Sequence, residues 1–158
     1  MSKKLTHIDK SGKAVMVDIS SKNNSERSAK ASGRVIFTSE VYQKLTKEGF
    51  ISPKGSIVQT AVIAGIQGVK RTSYLIPLCH QIPLSKIDIK IKPLKNSLFI
   101  TCEVSCNGKT GVEMEALTGV SVSSLTIYDM CKALSQKIKI IDIQLDEKTG
   151  GKSMFRRN

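Results

Sequence analysis

Residues 84–106 of the chain read LSKIDIKIKPLKNSLFITCEVSC, and this stretch decides the fold class. In its first half, isoleucines at positions 87, 89 and 91 alternate with charged residues, which is the two-residue period of a strand with one buried face. The residues KNS then turn the chain, and LFITCEVSC (98–106) returns as a second apolar strand. The stretch therefore predicts a β-hairpin.

Helices and strands are predicted on both sides of the hairpin. On the N-terminal side, GRVIFT (33–38) predicts a strand and TSEVYQKLTKEG (38–49) a helix capped by Thr38 or Ser39. SIVQTAVIAGIQGVK (56–70) predicts a second helix, and a further helical turn must end before Pro77. On the C-terminal side, residues 112–136 predict a long, mostly buried helix and residues 137–148 a last strand.

This order of strand, helices, two strands, helix and strand is that of the ferredoxin-like arrangement. We therefore expect an α+β fold, with a four-stranded antiparallel sheet and helices packed on one face. The 158 residues suit a single domain, 1–158. Within it, residues 1–32 are expected to form an extended N-terminal strap and residues 149–158 a flexible basic tail.

The composition excludes several classes of protein. Hydrophobic residues make up 40% of the chain, but no apolar run is long enough to span a bilayer, so we expect a cytoplasmic protein without a membrane partner. The four cysteines form no CxxC pair, which favours reduced, buried thiols over a disulfide framework or a zinc site. The formal net charge of +12 would attract polyanions, although many lysines could simply solvate a strand face.

Two glycine-containing loops, NGKTG (107–111) and TGGKS (149–153), superficially resemble phosphate-binding loops. Neither has the glycine spacing of a Walker loop followed by a helix. A glycine turn carrying Lys148 and Lys152 could still bind a phosphate through backbone N–H groups and ammonium charge. An RNA-binding function is the alternative for so basic a chain, but aromatic residues are only 4% and Phe99 alone lies on a central strand.

Charged residues in and near the long helix have both a structural and a functional interpretation. Asp129 and Lys132 lie three apart and so share a helix face, either as a surface ion pair or as a working pair. Glu113 and Glu115 would face the same way only in an extended segment, such as a strand end or turn that leads into the helix; the ordinary alternative is acids near a helix N-terminus, which the helix dipole favours. Lys54 in PKG is either a solvated turn lysine or a phosphate ligand at a helix entry.

His80 lies in LIPLCHQIPLS (75–85), an apolar segment bracketed by two prolines. It is one of only two histidines, and His7 is remote in the sequence, so a zinc site is not expected. A core histidine with a satisfied hydrogen bond is the ordinary interpretation. A role as acid, base or substrate ligand would need partners that spacing does not reveal.

Several motifs of the chain resemble the MoaC family of molybdenum-cofactor biosynthesis. They are RTSYLIPLCH followed by PLSK, KTGVEMEALT, SLTIYDMCKA and KTGGKS, and the likeness runs nearly from end to end. The resemblance implies a ferredoxin-like subunit in a homohexamer, a trimer of dimers with active sites at subunit interfaces. It also implies the conversion of 3′,8-cyclo-7,8-dihydroguanosine 5′-triphosphate to cyclic pyranopterin monophosphate with release of pyrophosphate.

The same resemblance implies roles for individual residues. Asp129 would be the catalytic aspartate, and Lys132 a second acid or base beside it. The residues in substrate-binding segments would be Leu78, Cys79, His80, Met114 and Glu115. Those lining the site would be Glu113, Lys54, Arg27, Lys148 and Lys152. No redox cofactor and no protein-bound metal is expected, and Mg²⁺ could accompany the triphosphate.

Three departures from the family pattern stand out. Family members usually have proline where this chain has Gln81, an acid where it has Ser56, and a glycine after the serine of KTGGKS, where Met154 stands here. Two other functions remain possible from the sequence, a basic module that binds nucleic acid and a structural family member without activity. The presence of Asp129 and Lys132 argues against the latter.

Overall fold

The computed structural model describes residues 7–9 and 11–157. Its strands are β1 (Ser25–Ile36), β2 (Ile51–Ser52), β3 (Gly55–Ser56), β4 (Leu84–Leu94), β5 (Ser97–Gly108), β6 (Lys139–Thr149) and β7 (Phe155–Arg156). Its helices are α1 (Ser39–Lys47), α2 (Ile57–Lys70), α3 (Thr72–Leu75) and α4 (Glu113–Cys131). The predicted hairpin is β4 and β5, and Thr38 caps α1 by accepting a hydrogen bond from the Val41 amide.

The fold is α+β, as predicted, but the main sheet has five strands in the order β4-β5-β1-β6-β7, all paired antiparallel. The expectation of a four-stranded sheet was therefore incomplete. The fifth strand comes from the basic C-terminal segment, where Phe155 and Arg156 pair with Lys148 and Glu147 of β6. A separate two-stranded ribbon, β2 and β3, carries Lys54 in its turn.

The first strand begins eight residues earlier than the pattern GRVIFT indicates, since β1 starts at Ser25. Residues 25–32, which the sequence assigned to the strap, are thus part of a central strand. No hydrophobic alternation marks this part of the strand, because the residues that pack under the helices are small: Ala29, Ala31 and Gly33. At Gly33 a Cβ atom would lie 2.7 Å from the Val120 Cγ1 of α4, so this close approach requires glycine. Residues 1–6, 10 and 158 of the predicted strap and tail lie outside the described residues.

Helices α2 and α4 pack against each other and against the sheet. Small residues allow the close approach, and the hydroxyl of Ser123 in α4 donates a hydrogen bond to the Ala61 carbonyl in α2 at 3.0 Å. Gly119 faces β5, where an added Cβ would lie 2.6 Å from the Cys102 Sγ. The core lies between these helices and the sheet, and it contains Cys102, Cys106 and Cys131 as buried, free thiols.

The start of α4 decides between the two interpretations of Glu113 and Glu115. Glu113 and Glu115 do not lie in a strand end or turn; both belong to the first turn of the helix. Acidic residues are stabilised there because the helix dipole presents partial positive charge at its N-terminus. Within residues 7–9 and 11–157, no helix has the length and apolar character that crossing a bilayer requires.

Candidate active site

A cavity of about 250 Å³ opens beside the first turn of α4. Its wall includes the predicted substrate-binding residues together with apolar side chains of the N-terminal segment. The predicted residues that line it are Leu78, Cys79, His80, Met114, Glu115 and Glu113. Two stretches far apart in sequence, LCH and VEME, therefore form one pocket, which we call the ring pocket.

Glu115 is the most deeply buried acid in the ring pocket, with only 4% of its surface exposed. Burial raises the pKa of this carboxyl, and the nearby charge of Glu113 raises it further, against the effect of a backbone amide that lowers it. A carboxyl whose neutral form is favoured can donate a proton. Burial also raises the pKa of the Cys79 thiol in the same pocket, so this cysteine is held as a neutral thiol.

His80 is half-buried, and its Nε2 atom lies 2.8 Å from the Val17 carbonyl oxygen. The ordinary interpretation, a histidine with a satisfied hydrogen bond, is therefore correct for one ring nitrogen. The ring also lines the ring pocket, and a role for it in catalysis or substrate binding stays a prediction. Gln81, by contrast, is exposed and lines neither this cavity nor the next, so the departure from proline faces solvent.

A second cavity, of about 410 Å³, adjoins the ring pocket and is strongly basic. The two cavities share wall residues, among them Lys22, Thr110 and Glu113. The cationic side chains that line the second cavity are those of Lys22, Arg27, Lys109, Lys148 and Lys152. We call it the cationic pocket. Its shape and charge suit an anion that extends from a group held in the ring pocket.

Two contacts organise the cationic pocket. Lys148 forms an ion pair with Glu113 at 3.0 Å, and their side chains are only 30% and 29% exposed. The Arg27 Nε donates a hydrogen bond to the Gly108 carbonyl at 2.8 Å, which leaves its terminal nitrogens for a ligand. Gly150 and Gly151 have φ values of +79° and +72° and pass so close to Arg27 that side chains there would collide with its chain segment.

The remaining predicted residues lie at the opposite end of α4. Lys132 donates to Asp129 Oδ1 at 2.6 Å in an exposed i,i+3 ion pair. The hydrogen bond and charge of Lys132 lower the pKa of the Asp129 carboxyl, and the Lys54 ammonium lowers it further. These three residues form a second cluster, which we call the distal cluster. At 1.5 Å per helical residue, the sixteen residues from Glu113 to Asp129 span about 24 Å, so one chain does not bring the two groups together.

Lys22 and Lys109 belong to the cationic pocket but were not among the predicted site residues. For Lys109 the signal was present, because it stands in the glycine turn NGKTG. Lys22 lies in a polar segment with no pattern of its own, and only the path of the chain brings it to the pocket. The Ser56 departure has a structural explanation, since its hydroxyl caps α2 by accepting from the Gln59 amide.

An α+β fold with a cationic pocket joined to a pocket that contains one buried acid, Glu115, suits the class of proteins that bind an anionic small molecule. The particular family follows from sequence comparison: the MoaC family model matches residues 16–151, and the chain belongs to the MoaC family. The resemblance predicted from the motifs is thus confirmed.

Curated relatives carry a specific name. A protein of Clostridium perfringens strain 13, named cyclic pyranopterin monophosphate synthase, is 52% identical over 155 residues, which cover 97% of each chain. A Streptomyces coelicolor protein of the same name is 48% identical over 95% of this chain and 87% of the relative. An Arabidopsis thaliana protein, named as the mitochondrial form, is 51% identical over 95% of this chain, which spans only 56% of that longer relative.

Proposed function

We propose that the chain is a cyclic pyranopterin monophosphate synthase of molybdenum-cofactor biosynthesis. It would convert 3′,8-cyclo-7,8-dihydroguanosine 5′-triphosphate to cyclic pyranopterin monophosphate and release pyrophosphate, a lyase-type reaction. The observation that carries the proposal is the junction of the two cavities at Lys22, Thr110 and Glu113. A nucleotide-derived substrate needs such a pair, one pocket for the ring system and one for the phosphates. The names of the relatives support the same reaction.

The cationic pocket would hold the triphosphate. Guanidinium groups bind phosphate oxygens through paired hydrogen bonds, and ammonium groups neutralise them as point charges. Arg27 and Lys152 could bind phosphate directly, whereas Lys148 would have to exchange its ion pair with Glu113 for one with phosphate. As pyrophosphate leaves, negative charge grows on it, and the same fixed cations would stabilise that charge.

The ring pocket would hold the purine-derived ring, whose remodelling requires proton transfers and the addition of water. Glu115, whose pKa is raised by burial, suits proton donation. His80 and Glu113 face the same space and could exchange protons with ring atoms. Leu78 and Met114 supply apolar contact for the faces of the ring.

We further propose that the site is completed by another copy of the chain, in the homohexamer that the family resemblance implies. Asp129 and Lys132 form the catalytic pair in the motif-based assignment, but they lie about 24 Å along α4 from Glu113 in the same chain. The distal cluster of one subunit would therefore meet the ring and cationic pockets of its neighbour. Exposed apolar residues on the helices support such a contact, with Ile63 and Leu125 each 59% exposed.

Three finer expectations also remain proposals. The long strands β4, β5, β1 and β6 would form a ferredoxin-like core, to which β7 is an addition. Mg²⁺, if it accompanies the substrate, would be held mainly by phosphate oxygens, because among the residues that the structure describes the only acid lining the cationic pocket, Glu113, is paired with Lys148. The protein would act in the cytoplasm.

The test is turnover of the cyclic nucleotide triphosphate by the purified protein, followed as cyclic pyranopterin monophosphate and pyrophosphate formed in equal amounts. Lys148→Ala should lose most activity, because it removes a cation from the phosphate pocket. Lys90→Ala is the matched control, since Lys90 is exposed on a strand and pairs only with Asp88, and its turnover should match the wild type. If the wild-type protein bound the triphosphate but formed neither product, the proposed reaction would be wrong. Tight, salt-sensitive RNA binding would favour the alternative function.

A further inference from the structure

The segment 13–22, the part of the predicted 1–32 strap that borders the ring pocket and the part that we call the strap, forms neither a helix nor an extended strand. Val17 and Ile19 line the ring pocket, and Lys22 lines both cavities. Its residues are mostly exposed, so burial of apolar surface does not by itself hold it in place. Inside the strap, Asp18 Oδ1 accepts a hydrogen bond from the Ser20 amide at 2.8 Å and closes a local turn.

Two side chains of the candidate site fasten this turn to the pocket. Lys109 Nζ donates to the Ser20 carbonyl at 2.7 Å, and the His80 ring meets the Val17 carbonyl through Nε2 at 2.8 Å. These contacts join residues 89 and 63 positions apart in sequence, so they depend on the folded pocket. The strap is thus bound to the two loops that bear the site residues.

The contact with Val17 determines which nitrogen of His80 carries a proton. A carbonyl oxygen only accepts hydrogen bonds, so Nε2 must be the protonated nitrogen. In a neutral ring the other nitrogen, Nδ1, is then an acceptor with a free lone pair. Within residues 7–9 and 11–157, no protein group donates to or accepts from this Nδ1.

We infer that the strap is a positioning segment that holds His80 in its Nε2–H tautomer and so presents Nδ1 to the substrate as a hydrogen-bond acceptor and proton acceptor. This inference rests on the proposed function for the identity of the substrate, and on geometry alone for the strap. A proton taken from a substrate N–H or O–H would pass to Nδ1 and give the imidazolium. That cation would keep its Nε2–H bond to Val17, which becomes shorter and stronger when the donor is charged. The hydrogen bond that fixes the strap to the pocket would then also hold His80 in the tautomer that can accept a proton.

Two substitutions at His80 separate the roles of its nitrogens. The amide nitrogen of glutamine reaches the position of Nε2, and that of asparagine reaches the position of Nδ1. His80→Gln should therefore keep the bond to Val17, and His80→Asn should lose it. In deuterium exchange of a peptide covering residues 15–22, we expect His80→Gln to match the wild type and His80→Asn to exchange about five-fold faster, as loss of one ordinary hydrogen bond predicts.

Both variants lack the Nδ1 acceptor, so both should lose turnover even though one keeps the strap in place. Turnover by His80→Gln at the wild-type rate would show that Nδ1 is not used. Equal exchange in both variants would show that His80 does not fasten the strap. Far-ultraviolet circular dichroism checks that each variant is folded. The exchange result stands whether or not the wild type forms product, so failure of this inference is distinguishable from failure of the proposed function.

A strap variant with His80 intact gives an independent measurement. Asp18→Ala opens the turn beside Val17, whereas Asp18→Asn keeps an oxygen that can accept from the Ser20 amide. Ring nitrogen-15 shifts report the tautomer, and the chain has only two histidine rings to assign. We expect a pure Nε2–H signal for His80 in the wild type and in Asp18→Asn, and a mixture of tautomers with a lower kcat at similar KM in Asp18→Ala. An Nδ1–H tautomer in the wild type would overturn the inference.

Discussion

A subunit-mixing experiment tests most directly whether the site is composite, that is, whether one subunit supplies its two pockets and a neighbour supplies its distal cluster. Lys148→Ala damages the cationic pocket beside the start of α4, and Asp129→Asn damages the distal cluster at its other end. Each variant alone should be inactive. If every site takes its pockets from one subunit and its distal cluster from a neighbour, a mixed oligomer contains some sites in which both parts are intact.

The expected recovery follows from counting. With equal amounts of two variants assembled at random, the subunit that supplies the pockets has an intact Lys148 in half of the sites. The neighbour has an intact Asp129 in half of the sites. The two choices are independent, so about one quarter of the wild-type activity per site should return. If one chain supplied both parts of its own site, no intact site would form and recovery would be absent.

The assay uses the two variants co-expressed with different affinity tags and purified on both, so that only mixed oligomers remain. Native mass spectrometry gives the ratio of variants in each oligomer, and turnover is compared with each variant alone. Asp129 and Lys132 are exposed, so Asp129→Asn should unfold at the wild-type temperature, which excludes misfolding as the cause of lost activity. Mixed oligomers no more active than the single variants would refute the composite site.

Three further predictions concern stability and reactivity. Gly119→Ala would place a carbon 2.6 Å from the Cys102 Sγ, and such overpacking should lower the free energy of unfolding by about 1–3 kcal/mol, measured by urea titration. Gln67→Ala, on the exposed face of α2, is the control and should change the free energy of unfolding little. Burial raises the pKa of Glu115 above its ordinary 4.5, so the folded state binds this proton more tightly than the unfolded state, and the free energy of unfolding falls as pH rises from about 4.5 through the folded pKa. The urea midpoint should therefore decrease between pH 5 and pH 8 in the wild type, and it should decrease less in Glu115→Gln. Cys79 is the only one of the four cysteines that is not buried, so one thiol should react with an aromatic disulfide reagent in the native state, slowly because its raised pKa leaves little thiolate. No thiol should react in native Cys79→Ala, and four should react after denaturation of the wild type.

The parts of the fold that were predictable are those in which side chains follow a regular period. Isoleucines at every second position predicted β4, and its pairing with β5 places Ile89 opposite Cys102 and Ile91 opposite Ile100. The early part of β1 had no such signal, because close packing against α4 selects small side chains in place of large apolar ones. The fifth strand was missed for a related reason: two residues form a strand only when an edge of the sheet is available to pair with them.

The candidate site was predictable mainly through the motifs of the family. Spacing alone left His80, Glu115 and Lys148 as isolated residues with ordinary structural explanations. Their convergence depends on β6 returning beside the start of α4, which a local pattern does not encode. An N-terminal strap was predicted, but its place on the pocket was not, since its polar sequence around Asp18 carries no period and its position is set by hydrogen bonds from distant side chains.

Helix α4 connects these observations, because it separates two groups of residues that the proposed reaction would need together. One end carries Glu113 and Glu115 into the pockets, and the other carries Asp129 away from them by about 24 Å. In the proposed oligomer a chain with such a helix would serve two sites at once, giving pockets to one and a distal cluster to the other. Activity would then depend on assembly. A substitution on the proposed subunit contact surface, such as Leu125→Glu, would abolish activity at sites whose own residues are all unchanged. Such a dependence would explain why a single chain can hold every predicted residue of the site and still lack a complete site.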